Sequence, residues 1–268
     1  MNKELIKDYI FKKKFGQNFL KDENILRNIV DKSEVDKDTL VIEIGVGAAF
    51  LTYYLTEKAK YVVGYEIDES LKAIIEKQLE NKNNIKILFA DFLKRNVMDD
   101  IKDLDYKKIF VVANLPYYIT TPIITKFIED KIPVEKIVVM VQKEVGDRFN
   151  AKMGTKEYNS LTLYLNYYFK ISKVMDVSRN SFIPKPNVDS AVIRFDRYYR
   201  DDCKSENRLF TLIRDSFQFK RKNLRNNLKN YNLEKIEKVL NKYGKDLTVR
   251  AENISLEEFI DISNNLEG

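Results

Sequence analysis

Residues 39–52 read TLVIEIGVGAAFLT, a run of β-branched and aliphatic residues that ends in two glycines and passes into a helical pattern. A short, nearly unbroken apolar run of this kind suits a strand covered on both faces, as in a parallel sheet. Gly45 and Gly47 let the backbone turn tightly and approach a ligand before a helix opens at about Ala49. A full dinucleotide fingerprint needs a third glycine at position 50, where this chain has Phe50. The turn therefore speaks against a pyrophosphate cradle and leaves a nucleoside ligand open.

Outward from this turn the pattern repeats. Candidate strands are TLVIEIG (39–45), YVVGYEID (61–68), IKILFAD (85–91), IFVVANL (109–115), KIVVMVQ (136–142), the region around YYFKISKV (167–174) and SAVIRF (190–195). Amphipathic helical stretches separate them, LTYYLTEKA, ESLKAIIEKQLE and TPIITKFIEDK, the last with Thr121 placed to cap and Pro122 at the first helical position. The alternation predicts an α/β domain with a largely parallel seven-stranded sheet over residues 1–198, including an N-terminal segment to residue 38 that packs the helix ENILRNIVDK against the sheet. Beyond Phe195 the strand signals stop. RLFTLIRDSF, NLEKIEKVLNKYG and SLEEFIDISNNL read as helices, with Ser255 and Glu258 at capping-box spacing and Gly244 at a helix end, which predicts a small helical domain over 199–268.

Composition removes whole classes of chemistry. The 268 residues contain no His and one Cys, which excludes a Ser-His-Asp triad, an imidazole base, an intrachain disulfide and a His/Cys zinc site. No metal is expected. No signal-peptide region or membrane-length apolar run is visible, so a cytoplasmic protein without a membrane partner is expected. The net charge is +6, and FQFKRKNLRNNLK (217–229) carries five cations and no acid, leaving +1 for everything else. Such a localised excess suits a polyanion-binding patch.

Four further features carry chemistry. Glu66 ends the second strand, twenty-one residues after Gly45, where an acid can accept hydrogen bonds from both ribose hydroxyls. Asp91 ends the third strand and can accept from an exocyclic adenine amine. Ligands in open α/β sheets bind outside the carboxyl ends of the strands, so Gly45, Glu66, Asp91 and the end of the fourth strand should converge. The acidic surroundings suit a cationic nucleoside such as S-adenosylmethionine better than NAD. At the end of the fourth strand stands Asn114-Leu115-Pro116-Tyr117. A conjugated purine amine is a poor nucleophile; the Asn114 oxygen and a backbone carbonyl held by Pro116 can accept its two protons, while Tyr117 offers a flat face to a flipped base. Phe182, in FIPKP (182–186), is a candidate second stacking wall, or alternatively a buried anchor for its loop.

At these residues the chain resembles the small-subunit ribosomal RNA adenine N6,N6-dimethyltransferases, the kasugamycin-resistance family. The resemblance runs from KKKFGQNFLKDENIL through EIGVG, NLPYYITTPII, MVQKEVGDRF, GTKEYNSLT and FIPKPNVDSAVIRF to FQFKRKNLRNNL. It implies a seven-stranded, Rossmann-like S-adenosylmethionine methyltransferase domain followed by a small α-helical domain. The implied cofactor contacts are Asn18, Leu20, Gly45, Glu66, Asp91 and Asn114; the implied catalytic motif is Asn114 to Tyr117, with Phe182 on the opposite face of the base. The implied activity is dimethylation of N6 on two adjacent adenosines in the 3′-terminal hairpin of 16S rRNA, within the small ribosomal subunit or its precursor, contributing to subunit biogenesis. Lys220, Arg221, Lys222 and Arg225 are the candidate RNA contacts, and a monomer is expected. The family commonly has GPGLG where this chain has GVGAA, which puts Ala49 in the place of a glycine. The alternatives are a large-subunit methylase of the erythromycin-resistance type, whose usual motif reads NIPY, a ribosome-assembly factor that binds RNA without catalysis, and a small-molecule methyltransferase, against which the basic segment counts.

Overall fold

The computed structural model describes residues 2–6, 9 and 17–266; the KKKFG part of the first family-like segment, residues 12–16, lies outside them. In chain order the elements are β1 (Phe19–Leu20), α1 (Glu23–Ser33), β2 (Thr39–Ile44), α2 (Phe50–Lys58), β3 (Tyr61–Glu66), α3 (Lys72–Gln78), β4 (Ile85–Phe89), α4 (Val97–Ile101), β5 (Lys108–Asn114), α5 (Thr120–Glu129) and β6 (Val134–Gln142). There follow α6 (Lys143–Phe149), α7 (Ser160–Tyr168), β7 (Phe169–Val177), β8 (Phe182–Ile183), β9 (Ser190–Arg197), α8 (Glu206–Ser216), α9 (Leu224–Asn227), α10 (Leu233–Lys242) and α11 (Leu256–Asn265).

Seven strands form one sheet in the order β4-β3-β2-β5-β6-β9-β7. β4, β3, β2, β5 and β6 run parallel, whereas β9 lies antiparallel to β6 with Ser190 opposite Gln142. All seven expected strands are present. Their apolar character follows from burial on both faces. Val41, Val62, Val112 and Val138 bury one face against Leu26 and Ile29 of α1 and Leu51 and Leu55 of α2. On the other, Tyr65 meets Phe92 edge to face and Phe92 meets Phe127 at a tilt, with ring centroids 5.1 and 5.4 Å apart.

α5 corrects one expectation. It begins at Thr120, with Ile119 in the capping position and no side-chain cap, so Thr121 does not cap it and Pro122 is its third residue. A proline is tolerated there because the first four N–H groups of a helix have no intrahelical partner. Thr120 instead turns its hydroxyl back to the carbonyls of Pro116 and Tyr117, at 3.3 and 3.4 Å.

The chain divides into two units, residues 1–146 with 172–197, and 147–171 with 198–268. The stretch 147–171, grouped with the first domain when the chain is read linearly, thus joins the helices that follow Tyr198. Its helix α7 opens on a capping box between Asn159 and Thr162, and Leu163 and Tyr167 bury against Leu209, Leu212 and Phe259. Within the same unit Ser255 and Glu258 form the expected capping box of α11, and Gly244 takes φ +67° just beyond α10.

Candidate active site

A cleft open to solvent lies at the carboxyl ends of β2, β3, β4 and β5. Gly45, Gly47, Glu66, Asp91 and Asn114 to Tyr117 all line it, together with Asn18.

The glycine turn shapes one wall. Gly45, at φ +77°, donates its N–H to the Tyr65 carbonyl at 2.8 Å, and Gly47, at φ +59°, donates to Glu66 Oε2 at 2.8 Å. A Cβ on Gly47 would stand 3.0 Å from the Phe19 ring, so both conformation and space call for glycine. Ala49 also sits in the left-handed region, at φ 58°, and is fully buried. An alanine there sustains strain of roughly 1–2 kcal/mol that a glycine would not.

Glu66 is buried at the end of β3. Its Oε1 accepts from the Asp68 N–H at 2.9 Å as Oε2 does from Gly47, so the carboxylate ties the turn after β2 to the end of β3. Burial raises its pKa and these backbone donors oppose the rise. Asp68 in turn accepts from Gln17 Nε2 and Tyr9 Oη, both at 2.8 Å, which draws Gln17 into the cleft wall. Asp91, beyond β4, caps the turn that follows by accepting from Leu93 N–H at 3.1 Å.

At the end of β5, Asn114 Nδ2 donates to the Asn18 carbonyl at 3.1 Å, which fixes the carboxamide and makes Oδ1 its remaining acceptor pole. Leu115 is buried, its N–H held by the Met140 carbonyl at 3.1 Å. The Pro116 carbonyl is engaged by the Ile119 N–H at 3.2 Å as well as by the Thr120 hydroxyl. Tyr117 is tethered through its hydroxyl to Ser190 Oγ at 2.8 Å, and burial keeps that phenol protonated by raising its pKa.

Two expected residues are not on this cleft. Leu20 is buried and lines a smaller adjoining cavity. Phe182, 2% exposed, is a core side chain that anchors its loop rather than a stacking wall: it pairs opposite Leu20 in a two-stranded antiparallel sheet of β1 and β8, in the same cluster as Phe19. The structure adds Gln17, Ile67 and Tyr118 to the cleft. Ile67 and Tyr118 are 46% and 59% exposed, unusual for such side chains, and each directly follows a residue singled out from the sequence, which was the available signal.

In the second unit, Lys220, Arg221, Lys222 and Arg225 are exposed on the turn before α9 and on α9 itself. Arg225 pairs with Glu237 at 3.4 Å, and Phe219 is 57% exposed beside them. Among the described residues no group of three or more His, Cys, Asp or Glu is placed to hold a metal, and no helix is long and apolar enough to cross a membrane.

A seven-stranded sheet whose β9 runs antiparallel to β6, a glycine turn and acids at successive strand ends facing one cleft define a Rossmann-like methyltransferase. The family described as Ribosomal RNA adenine dimethylase matches residues 9–267, and the chain belongs to it. Curated relatives from Bacillus mycoides (strain KBAB4) and Bacillus cereus (strain B4264), both named Ribosomal RNA small subunit methyltransferase A, are 43% identical over 277 residues, covering 98% of this chain and 94% of theirs. Among solved structures, a dimethyladenosine transferase from Plasmodium falciparum matches with a TM-score of 0.75 and 26% identity, covering 91% of this chain and 95% of that one. The 23S rRNA methyltransferase ErmE matches with a TM-score of 0.77 and 25% identity, covering 93% and 100%. The chain is a ribosomal RNA methyltransferase.

Proposed function

We propose that the protein dimethylates N6 of two adjacent adenosines in the 3′-terminal hairpin of 16S rRNA, in the small subunit or its precursor, with S-adenosylmethionine as methyl donor. The 43% identity to enzymes named for the small subunit carries the choice of substrate over the large-subunit alternative. The cleft supports the choice of donor: a glycine turn that brings backbone close, a buried acid at the ribose position and a second acid beyond β4 fit a cationic nucleoside. The location that goes with this substrate is the cytoplasm.

S-adenosylmethionine supplies an already activated methyl group on a sulfonium. The protein's own residues orient and desolvate the acceptor, effects that can contribute on the order of 7–11 kcal/mol. Glu66 receives the ribose hydroxyls and Asp91 the adenine amine of the donor, with Asn18 and Gly45 around its remaining part. Asn114 Oδ1 and the Leu115 carbonyl accept the two N6 protons of the substrate and draw the nitrogen toward tetrahedral geometry. Tyr117 presents its ring to the flipped base, held in place by Ser190. No strong general base is required, because the proton becomes acidic once the amine is alkylated; a chain without histidine is suited to this chemistry. Lys220, Arg221, Lys222 and Arg225 contact RNA phosphates.

The test is methyl transfer from labelled S-adenosylmethionine to small subunits lacking the modification, with large subunits in parallel and the nucleoside identified by mass spectrometry. Dimethyladenosine in the small subunit alone is expected, and Asn114→Ala should lose turnover heavily while binding RNA nearly as well. Label in the large subunit, or normal turnover of Asn114→Ala, would overturn the assignment.

A further inference from the structure

The basic segment assigned to RNA phosphates also displays a ring. Among the described residues Phe219 is the one exposed phenylalanine, at 57%, and it directly precedes Lys220, Arg221 and Lys222. A single exposed apolar side chain is ordinary. What sets Phe219 apart is that its backbone is bound inward on both sides while its ring is left in solvent.

Between α8 and α9 the chain turns around the buried carboxamide of Asn227. Asn227 Nδ2 donates to the Ser216 carbonyl at 2.6 Å and lies 3.4 and 3.5 Å from the carbonyls of Phe219 and Lys222. Its Oδ1 accepts the Phe219 N–H at 3.3 Å, and the Lys222 N–H closes the turn on the Phe219 carbonyl at 2.8 Å. Two residues earlier Phe217 packs against the helical core, its ring 6.4 Å from those of both Tyr158 and Phe259. Phe217 thus takes the inward position, and the Asn227 bracket holds Phe219 on the outer side of a fixed turn. Lys220 Nζ donates to the Lys156 carbonyl at 3.4 Å, which brings GTKEYN (154–159), a stretch so far without a role, against the same turn and adds the exposed Lys156 to it.

Cations by themselves satisfy phosphates. A ring held among them, in a segment with five cations and no acid, offers what phosphates do not use, a flat apolar face. Nucleobases stack on such faces while neighbouring cations hold the backbone of the same strand, and only an unpaired base has a face free to stack. We propose that Phe219 stacks on an unpaired base of the substrate RNA other than the target adenosine, while Lys220, Arg221 and Lys222 hold the adjoining phosphates. The second unit then recognises a single-stranded or bulged feature as well as charge. The inference rests on the reading of this segment as the RNA contact.

Affinity of the full-length protein is measured for small subunits lacking the modification and for 16S rRNA freed of ribosomal proteins. Phe219→Ala and Phe219→Leu should each weaken binding to both by about 5- to 150-fold, the range for one base on one ring. Phe219→Tyr, which keeps the ring, should restore wild-type affinity. The slope of log affinity against log salt should stay the same in all three, because no charge is lost. The chain has no tryptophan, so Phe219→Trp installs a single indole reporter. Its emission should be quenched by an RNA hairpin with one bulged purine and far less by the same hairpin fully paired. Wild-type affinity in Phe219→Ala would overturn the proposal. So would full binding by Phe219→Leu, which would make the position merely apolar, or equal quenching by both hairpins. Loss confined to intact subunits, with freed rRNA bound normally, would put the ring against a ribosomal protein and overturn it too. If neutralising Lys220, Arg221 and Lys222 leaves affinity and slope untouched, the reading of the segment falls and the proposal with it; loss in that variant but not in Phe219→Ala sinks the stacking alone.

Discussion

Gly47→Ala probes the turn on which the whole cleft depends. The substitution forces an L residue to φ +59°, in the left-handed region, which costs roughly 1–2 kcal/mol. Its new Cβ would stand 3.0 and 3.2 Å from two carbons of the Phe19 ring. Phe19 cannot swing aside freely, because it is buried and its backbone is paired with Ile183. Alanine also narrows the unfolded ensemble, which offsets about 0.4–1 kcal/mol. A net loss of about 1–2 kcal/mol results once the crowding is added, or roughly 2–8 °C in Tm for a chain of this size. Because the Gly47 N–H donates to Glu66, a shifted turn should also weaken S-adenosylhomocysteine binding at least tenfold. Thermal unfolding and calorimetry would be run beside Gly244→Ala, where φ is +67° but nothing stands within 4 Å of the added Cβ. That control should show the left-handed cost alone, with ligand affinity intact. If the two variants lose equal stability and both bind as tightly as wild type, the crowding against Phe19 and the role of this turn are wrong.

Neutralising Lys220, Arg221, Lys222 and Arg225 should weaken RNA binding across sequences. With about five phosphate contacts the wild-type slope of log affinity against log salt should be roughly −3.5 to −4.5, and the variant should lose about 3 units of it. An unchanged slope would make the segment an ordinary solvated surface. Glu43, buried on β2, gives a stability prediction for the donor-free protein: its pKa rises from 4.5 unfolded to about 8 folded, so as pH climbs the unfolded chain sheds the proton first. The native state is therefore progressively destabilised between those values. Glu43→Gln does not ionise and should gain on wild type from pH 5 to pH 8 in urea unfolding; a pH-independent difference would contradict the buried neutral acid.

Much of this was legible from local pattern. A strand buried on both faces must be apolar along its length, so TLVIEIG and IFVVANL announced themselves, and their ends carried Gly45 and Asn114 into the cleft. Pro122 misled because proline fits any of the first helical positions; which one it takes depends on where Thr120 finds acceptors. Phe182 was visible as an aromatic near the site, but its pairing opposite Leu20, more than 160 positions earlier, decides that it faces the core.

The sequence by itself determined the sheet, the order of the site residues and the chemistry left to a chain without histidine, because hydrophobic period, turn glycines and residue types are local properties. Only the tertiary structure decided that Asn18 fixes the Asn114 carboxamide, that 147–171 joins the second unit, and that Glu43 is a buried acid with one carboxyl oxygen left unpaired. Each of these depends on which distant segments meet, and burial and hydrogen-bond satisfaction are properties of that meeting rather than of any residue alone.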